Sequence, residues 1–126
     1  MNNSILGLGI DLVEISRIKE SIDHLGQKFI QRLFSEKEQE YCNKYKDSLP
    51  HYAARFAAKE ALVKALGCGF GKDFAFLDCE VINDDSGKPH IHLSDKANKK
   101  FNNPSFHLSL SHSQLFATAV VIWEKV

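Results

Sequence analysis

The segment Arg55–Gly67, RFAAKEALVKALG, constrains the fold of this chain most. Phe56, Ala57, Leu62, Val63 and Leu66 recur at spacings of three and four, and Gly67 arrives where a helix should stop, so the spacing predicts a helix. Its side chains are mostly small and buriable, yet Arg55, Lys59, Glu60 and Lys64 crowd the same few turns. Glu60 and Lys64 are one turn apart, as are Arg55 and Lys59 on an adjoining face. As a solvated stripe, the Glu60–Lys64 pair would add about 0.3–0.5 kcal/mol of helix support. The following GCGFGK offers flexible backbone N–H groups and Lys72 to an anion. It is no Walker loop, which needs Gly-Lys-Ser/Thr ahead of a helix.

Around this helix the pattern divides the chain into a helical first part and a strand-rich second part. SILGLGIDL predicts a strand through about Leu12, with little bulk on the side of Gly7 and Gly9. From Val13 the spacing changes: Val13, Ile15, Ile18, Ile22 and Leu25 suit one helix face, and Gly26 closes it. QKFIQRLF gives a second short helix, and Ser35 with Glu38 three residues on forms a capping box for a third. Pro50 breaks the chain before the long helix. FLDCEVIND and KPHIHLS, joined through Asp85-Ser86-Gly87, predict an antiparallel hairpin. DKANKKF is a short polar helix, and SFHLSLSHSQLFATAVVIW splits into two strands. The expectation is an α+β fold, an antiparallel sheet packed against helices, in one domain spanning residues 1–126.

Sixteen Lys and Arg balance sixteen Asp and Glu, so no global field advertises nucleic acid or an anionic membrane, and a charged partner must meet a local patch. Cys42, Cys68 and Cys79 are odd in number and lack a metal-ligand spacing, which reads as free thiols in a reducing compartment. The opening MNNSILGLGIDL has no basic start, and its apolar run is interrupted too early for a secretory signal. No stretch reaches the roughly twenty apolar residues that cross a bilayer. These features predict a cytoplasmic protein.

Two further features carry chemistry. Asp11 inside GLGIDLVEI must be paired, cap a helix or bind a cation; helix capping is the simplest reading, because a helix is predicted just beyond it. HLSLSH puts His107, Ser109 and Ser111 on one strand face with His112 beyond, which also suits the ordinary polar face of a half-buried sheet. No Gly-x-Ser-x-Gly elbow supports a serine nucleophile there.

Taken together, GLGIDLVEISRI, YAARFAAKEALVKALG and HLSLSHSQLFATAVVI, in this order and at these separations, resemble the holo-acyl-carrier-protein synthase family of the 4'-phosphopantetheinyl transferases. FLDCEVINDDSGKPHIHLS resembles that family's hairpin, so the likeness spans nearly the whole chain. It departs from the family pattern at Cys68 and Gln114, neither of which is a proposed ligand.

The resemblance implies transfer of the 4'-phosphopantetheine arm of coenzyme A to a serine of apo-acyl carrier protein, with release of 3',5'-ADP, in support of fatty acid synthesis. It implies Mg²⁺ held by Asp11 and Glu60, the hard-oxygen setting that this ion prefers. Lys64 would meet a phosphate oxygen. Glu60, directly or through water, and Lys64 are the candidates for the base that takes the serine proton. Arg55, His107, Ser109 and His112 match positions near the nucleotide end of coenzyme A. Arg17 matches a position that meets the acidic carrier, and Lys28 and Arg32 extend that basic face or are plain surface charge. The family implies a homotrimer with active sites between subunits, the apolar FATAVVIW strand serving either the subunit contact or the monomer core. Two alternatives stay open: a transferase for a secondary-metabolite carrier, and a coenzyme A-binding module without catalysis, against which Asp11, Glu60 and Lys64 count.

Overall fold

A computed structural model of the protein describes residues 4–126; Met1 to Asn3, the start of the segment weighed against a secretory signal, lie outside the described residues. Strand β1 (Ile5–Glu14) leads into helices α1 (Ile15–Leu25), α2 (Gln27–Leu33), α3 (Glu36–Asn43) and α4 (Leu49–Leu66). A 3₁₀ turn at Phe76–Asp78 opens the hairpin β2 (Cys79–Asn83) and β3 (Pro89–Leu93). Helix α5 (Asp95–Lys100) and strands β4 (Ser105–His112) and β5 (Phe116–Glu124) complete the chain. The main sheet has the antiparallel order β1-β5-β4, and the hairpin forms a separate two-stranded sheet. This is the predicted α+β arrangement of helices on antiparallel sheet.

The small residues of α4 explain where the core lies. Ala57, Ala58, Ala61, Leu62 and Ala65 are buried, together with Ala119 and Val121 of β5 and Val81 of β2. Alanines on a helix allow a strand to approach closely, and β1 exploits this with its own glycines. A Cβ placed on Gly7 would come within 1.9 Å of the Ala65 carbonyl oxygen, and one on Gly9 within 1.9 Å of that of Ala61. Any side chain at either position would force strand and helix apart. Gly67 ends α4 in the left-handed region at φ 72°, as a C-terminal glycine should.

Three local expectations are corrected. β1 runs to Glu14 and α1 begins at Ile15, so Asp11 lies inside a strand, and the helix-capping reading of Asp11 falls. Strand pairing of Asp11 with Ala119, Leu12 with Thr118 and Val13 with Ala117 outcompetes the helical spacing that starts at Val13. Pro50 sits inside the first turn of α4 rather than before it, where its missing N–H costs no helix bond. Phe76, Leu77 and Asp78 form the 3₁₀ turn instead of the start of a strand. The capping box at Ser35 and Glu38 is present in both directions.

Alternation along the main sheet separates two faces. Ala117, Ala119 and Val121 are buried against the helices. On the opposite face, Leu8, Ile10 and Leu12 of β1 are 64–65% exposed and pair across the sheet with Ile122, Val120 and Thr118. Thus β5 is the central strand of the monomer sheet, while its outer face continues an uncovered apolar surface.

Candidate active site

The close approach of β1 to α4 sets the site. Gly7, Gly9 and Asp11 share one side of the strand, and the first two lie directly against the helix. Two residues past Gly9, Asp11 therefore arrives beside the charged turn of α4. Lys64 Nζ donates to the Ile10 carbonyl at 2.9 Å and to Asp11 Oδ1 at 3.2 Å. Glu60 is the next charged group along the helix. Burial pushes its carboxyl above the usual carboxylate range, the Asp11 charge adds to this, and Lys64 opposes it. The structure thus brings Asp11 of β1 together with Glu60 and Lys64 of α4.

Two carboxylates at close quarters, both partly buried, form a site in which a divalent cation relieves mutual repulsion. Among the described residues there is no group of three or more His, Cys, Asp or Glu side chains arranged to enclose a metal. The donor set fits Mg²⁺, which accepts one or two carboxylates and fills its remaining positions with phosphate and water oxygens.

A second feature lies on the β4 side of the sheet: a cleft of about 400 Å³ whose lining includes Arg55 of α4, His51, Asn83 and Lys88 of the hairpin, and Ser109 and His112 of β4. Arg55 is buried, its guanidinium carbon lies 4.0 Å from the centre of the Tyr41 ring, and Nη2 donates to Asn83 Oδ1. Its Nε, also buried, has no hydrogen-bond partner among the described residues. A buried guanidinium with spare donor capacity suits an anion entering from the cleft. His107 does not line this cleft in a single chain; its Nε2 lies 3.1 Å from Glu124 Oε1.

The basic residues assigned to carrier docking lie around α1 and α2. Arg17 lines a shallow groove with Leu12, Val13, Glu14 and Phe116. Lys28 and Arg32 flank a separate apolar groove of about 280 Å³ formed with Leu25, Phe29 and Leu33. The structure does not place Arg17 in the same groove as the other two. Lys72, in the glycine-rich loop, is exposed, and that loop is held by Phe70 stacking on Phe76 at 3.7 Å.

Sequence reasoning missed a buried ion pair behind the site. Lys59 Nζ reaches Glu38 Oε1 at 2.8 Å, the Leu33 carbonyl at 2.5 Å and the Phe76 carbonyl at 3.0 Å. Glu38 Oε2 accepts from the Val81 N–H at 3.0 Å, while Oε1 also closes the capping box. Both side chains are essentially inaccessible to solvent, at 1% and 0% exposure. The pair ties α3, α4 and β2 together and fixes the rotation of α4, with Lys59 facing inward and Glu60 toward β1. The signal was Lys59 itself, a charge among alanines; its partner was hidden because Glu38 already had a complete local explanation as a cap.

Comparison with known proteins places this arrangement. The chain belongs to the 4'-phosphopantetheinyl transferase superfamily, whose family model matches residues 7–121. It is 45% identical over 118 residues to a holo-[acyl-carrier-protein] synthase of Protochlamydia amoebophila, covering 94% of this chain and 97% of the relative. It is 48% identical to the holo-[acyl-carrier-protein] synthase of Trichlorobacter lovleyi, covering 95% and 98%. Among solved structures, the Bacillus anthracis holo-(acyl-carrier-protein) synthase in complex with CoA (3',5'-ADP) superposes with a TM-score of 0.84 at 41% identity, covering 98% of this chain and all of that one. The Helicobacter pylori enzyme in complex with coenzyme A gives 0.82 at 38% identity, covering 92% and 98%.

Proposed function

We propose that this chain transfers the 4'-phosphopantetheine group of coenzyme A to a serine of an apo-acyl carrier protein and releases 3',5'-ADP. The observation that carries the reading is the convergence of Asp11, Glu60 and Lys64 where β1 crosses α4. The serine Oγ attacks the phosphorus that bears the pantetheine arm, and the pyrophosphate P–O bond breaks. Catalysis of such a transfer rests on positioning and charge neutralisation. Lys64, its ammonium held by Asp11 and the Ile10 carbonyl and its side chain half exposed, meets an incoming phosphate oxygen. Glu60 takes the serine proton directly or through water. Asp11 and Glu60 would hold Mg²⁺, which would supply neutralisation of the charge on the pyrophosphate. Arg55, Ser109 and His112 bind the nucleotide end of coenzyme A in the β4-side cleft.

The carrier docks by its acidic surface on Arg17, and Lys28 and Arg32, which flank a separate apolar groove, extend that basic face. Exposed basic side chains steer such encounters, and the association weakens as salt rises, because the field is screened over about 8–10 Å near physiological ionic strength. Residues 1–126 act as one domain, in the cytoplasm, in the service of fatty acid synthesis. Among the described residues no helix is long and apolar enough to cross a membrane. The active unit is a homotrimer, and the apolar face of Leu8, Ile10 and Leu12 is the surface that a second copy covers. The nucleotide-binding role of His107 belongs to that assembly, since His107 lies on the same open sheet face as its neighbours in register, Ile122 and Leu8.

The test is mass spectrometry of purified apo-acyl carrier protein incubated with this protein, coenzyme A and Mg²⁺, beside an EDTA control. A gain of the phosphopantetheine mass that requires Mg²⁺ is expected. No gain with a fatty-acid carrier, while coenzyme A still binds, would overturn the assignment in favour of another carrier or a binding module.

A further inference from the structure

His51 lines the cleft, yet the reading given above assigns it no role. Its ring stacks on Tyr45 with centroids 3.6 Å apart and planes 17° from parallel. The His112 ring meets it edge-on at 5.5 Å, and the Tyr41 ring at 6.1 Å. Three aromatic neighbours hold the imidazole in one orientation, so its ordering cost is met before any ligand arrives. Beneath it in the same cleft lies Arg55, whose buried Nε has no hydrogen-bond partner among the described residues.

We propose that His51 is a further ligand-recognition residue of this cleft, taking a proton from solvent when the phosphate-bearing end of coenzyme A enters between it, His112 and Arg55. The proposal rests on the coenzyme A reading given above. The charges that face His51 come from several elements: His112 from β4, Arg55 from the next turn of α4, and Asp47 from the turn before α4. Tyr41 and Tyr45 contribute phenol rings, Lys88 lines the same cleft from the hairpin, and Lys44 lies 5.4 Å from the centre of the Tyr41 ring. In the free protein burial disfavours the imidazolium, His112 and Arg55 repel it, and Asp47 only partly offsets them, so the proton affinity of His51 is held below the ordinary histidine value. An incoming phosphate carries close to two negative charges and reverses the sign of that field. The neutral ring of the free protein then becomes a cation that faces the ligand.

The consequence is linkage between proton and ligand: whatever raises the proton affinity of His51 on binding makes binding tighter as pH falls through the histidine range. The experiment follows the imidazole resonances of isotopically labelled wild-type protein by NMR across about pH 5 to pH 8, with and without saturating 3',5'-ADP. His51 is assigned by H51F, which keeps the stack on Tyr45, and calorimetry gives the 3',5'-ADP affinity of each protein. The second ionisation of the phosphate is common to both proteins, so the difference between them, read beside the assigned His51 resonance, reports removal of the His51 imidazole.

The expected result is a His51 pKa raised by about one unit on binding, with the wild type losing about three- to fivefold more affinity than H51F between pH 6 and pH 8, within the tenfold limit that such a rise sets. H51Q, a second neutral variant, should behave as H51F does, and thermal melts establish that both are folded. An unmoved His51 resonance, or the same pH dependence in all three proteins, would overturn the proposal while leaving the coenzyme A reading intact. Failure of the wild type to bind 3',5'-ADP would overturn that reading and this proposal with it.

Discussion

Lys64 Nζ lies 3.2 Å from Asp11 Oδ1 and 2.9 Å from the Ile10 carbonyl, a cross-link between the last turns of α4 and the middle of β1. The Lys64 side chain is 52% exposed, whereas that of Asp11 is only 17% exposed, so the cation has a protein anchor on a side chain that is still open to a substrate. Replacing Lys64 by Met should lower kcat by about 10²–10³-fold, the usual cost of removing one group that stabilises developing charge. Steady-state kinetics with coenzyme A and apo-carrier measure this, and a kcat within a few-fold of wild type would remove Lys64 from the chemistry.

Glu60 allows a prediction in which the signs for activity and stability differ. Its folded-state proton affinity is raised, so in the metal-free protein the ionised carboxylate is a destabilising element at neutral pH. Glu60→Gln should abolish most transfer yet melt at a higher temperature than wild type in EDTA at about pH 7. This gap should close as pH falls through the folded-state pKa of Glu60 toward the unfolded value, because both side chains are then neutral. Mg²⁺ should stabilise the wild type more than the variant. Thermal melts across pH, with and without Mg²⁺, would contradict the metal role if the ion stabilised both proteins equally.

Lys59 is adjacent to Glu60 in sequence but buried on the other side of the helix. Lys59→Met removes the cation and leaves Glu38 buried without it, a change that costs about 3–5 kcal/mol in comparable buried pairs. The loss should appear as a lowered urea midpoint. Lys59→Met combined with Glu38→Gln should recover part of it, because the uncompensated charge is gone. A single variant as stable as wild type would show that the pair does not hold α4 in place.

Ile10 lies on the outer face of β1, directly across from Val120. Ile10→Lys alters no buried contact in one chain but would place a charge in the proposed contact between copies. Wild-type protein should behave in light scattering as three times the 14.2 kDa chain, and Ile10→Lys as a smaller species with unchanged far-UV circular dichroism. A wild-type monomer would refute the trimer.

Arg17, exposed at the start of α1, should separate docking from chemistry. Arg17→Ala should raise the KM for the carrier several-fold while leaving coenzyme A affinity unchanged, and the difference should shrink at high salt. An unchanged carrier KM at low salt would take Arg17 off the docking surface.

Local sequence chemistry determined most of the elements. Apolar spacing located the long helix, period-two alternation located β4, Gly67 ended α4, and Ser35 with Glu38 capped α3. These are interactions between near neighbours, so the residues that make them stand close together in the chain. The tertiary structure decided what neighbouring residues could not. Asp11 became a strand residue because pairing with Ala119 outweighed its capping propensity, and it reached Lys64 because Gly7 and Gly9 let β1 lie against the alanines of α4. Glu38, satisfied locally as a cap, gained Lys59 only when α3 packed on α4, and His51 met His112 only when β4 came alongside. Contacts between distant segments depend on the packing of whole elements, whose energy is spread over many apolar contacts rather than written in any one motif.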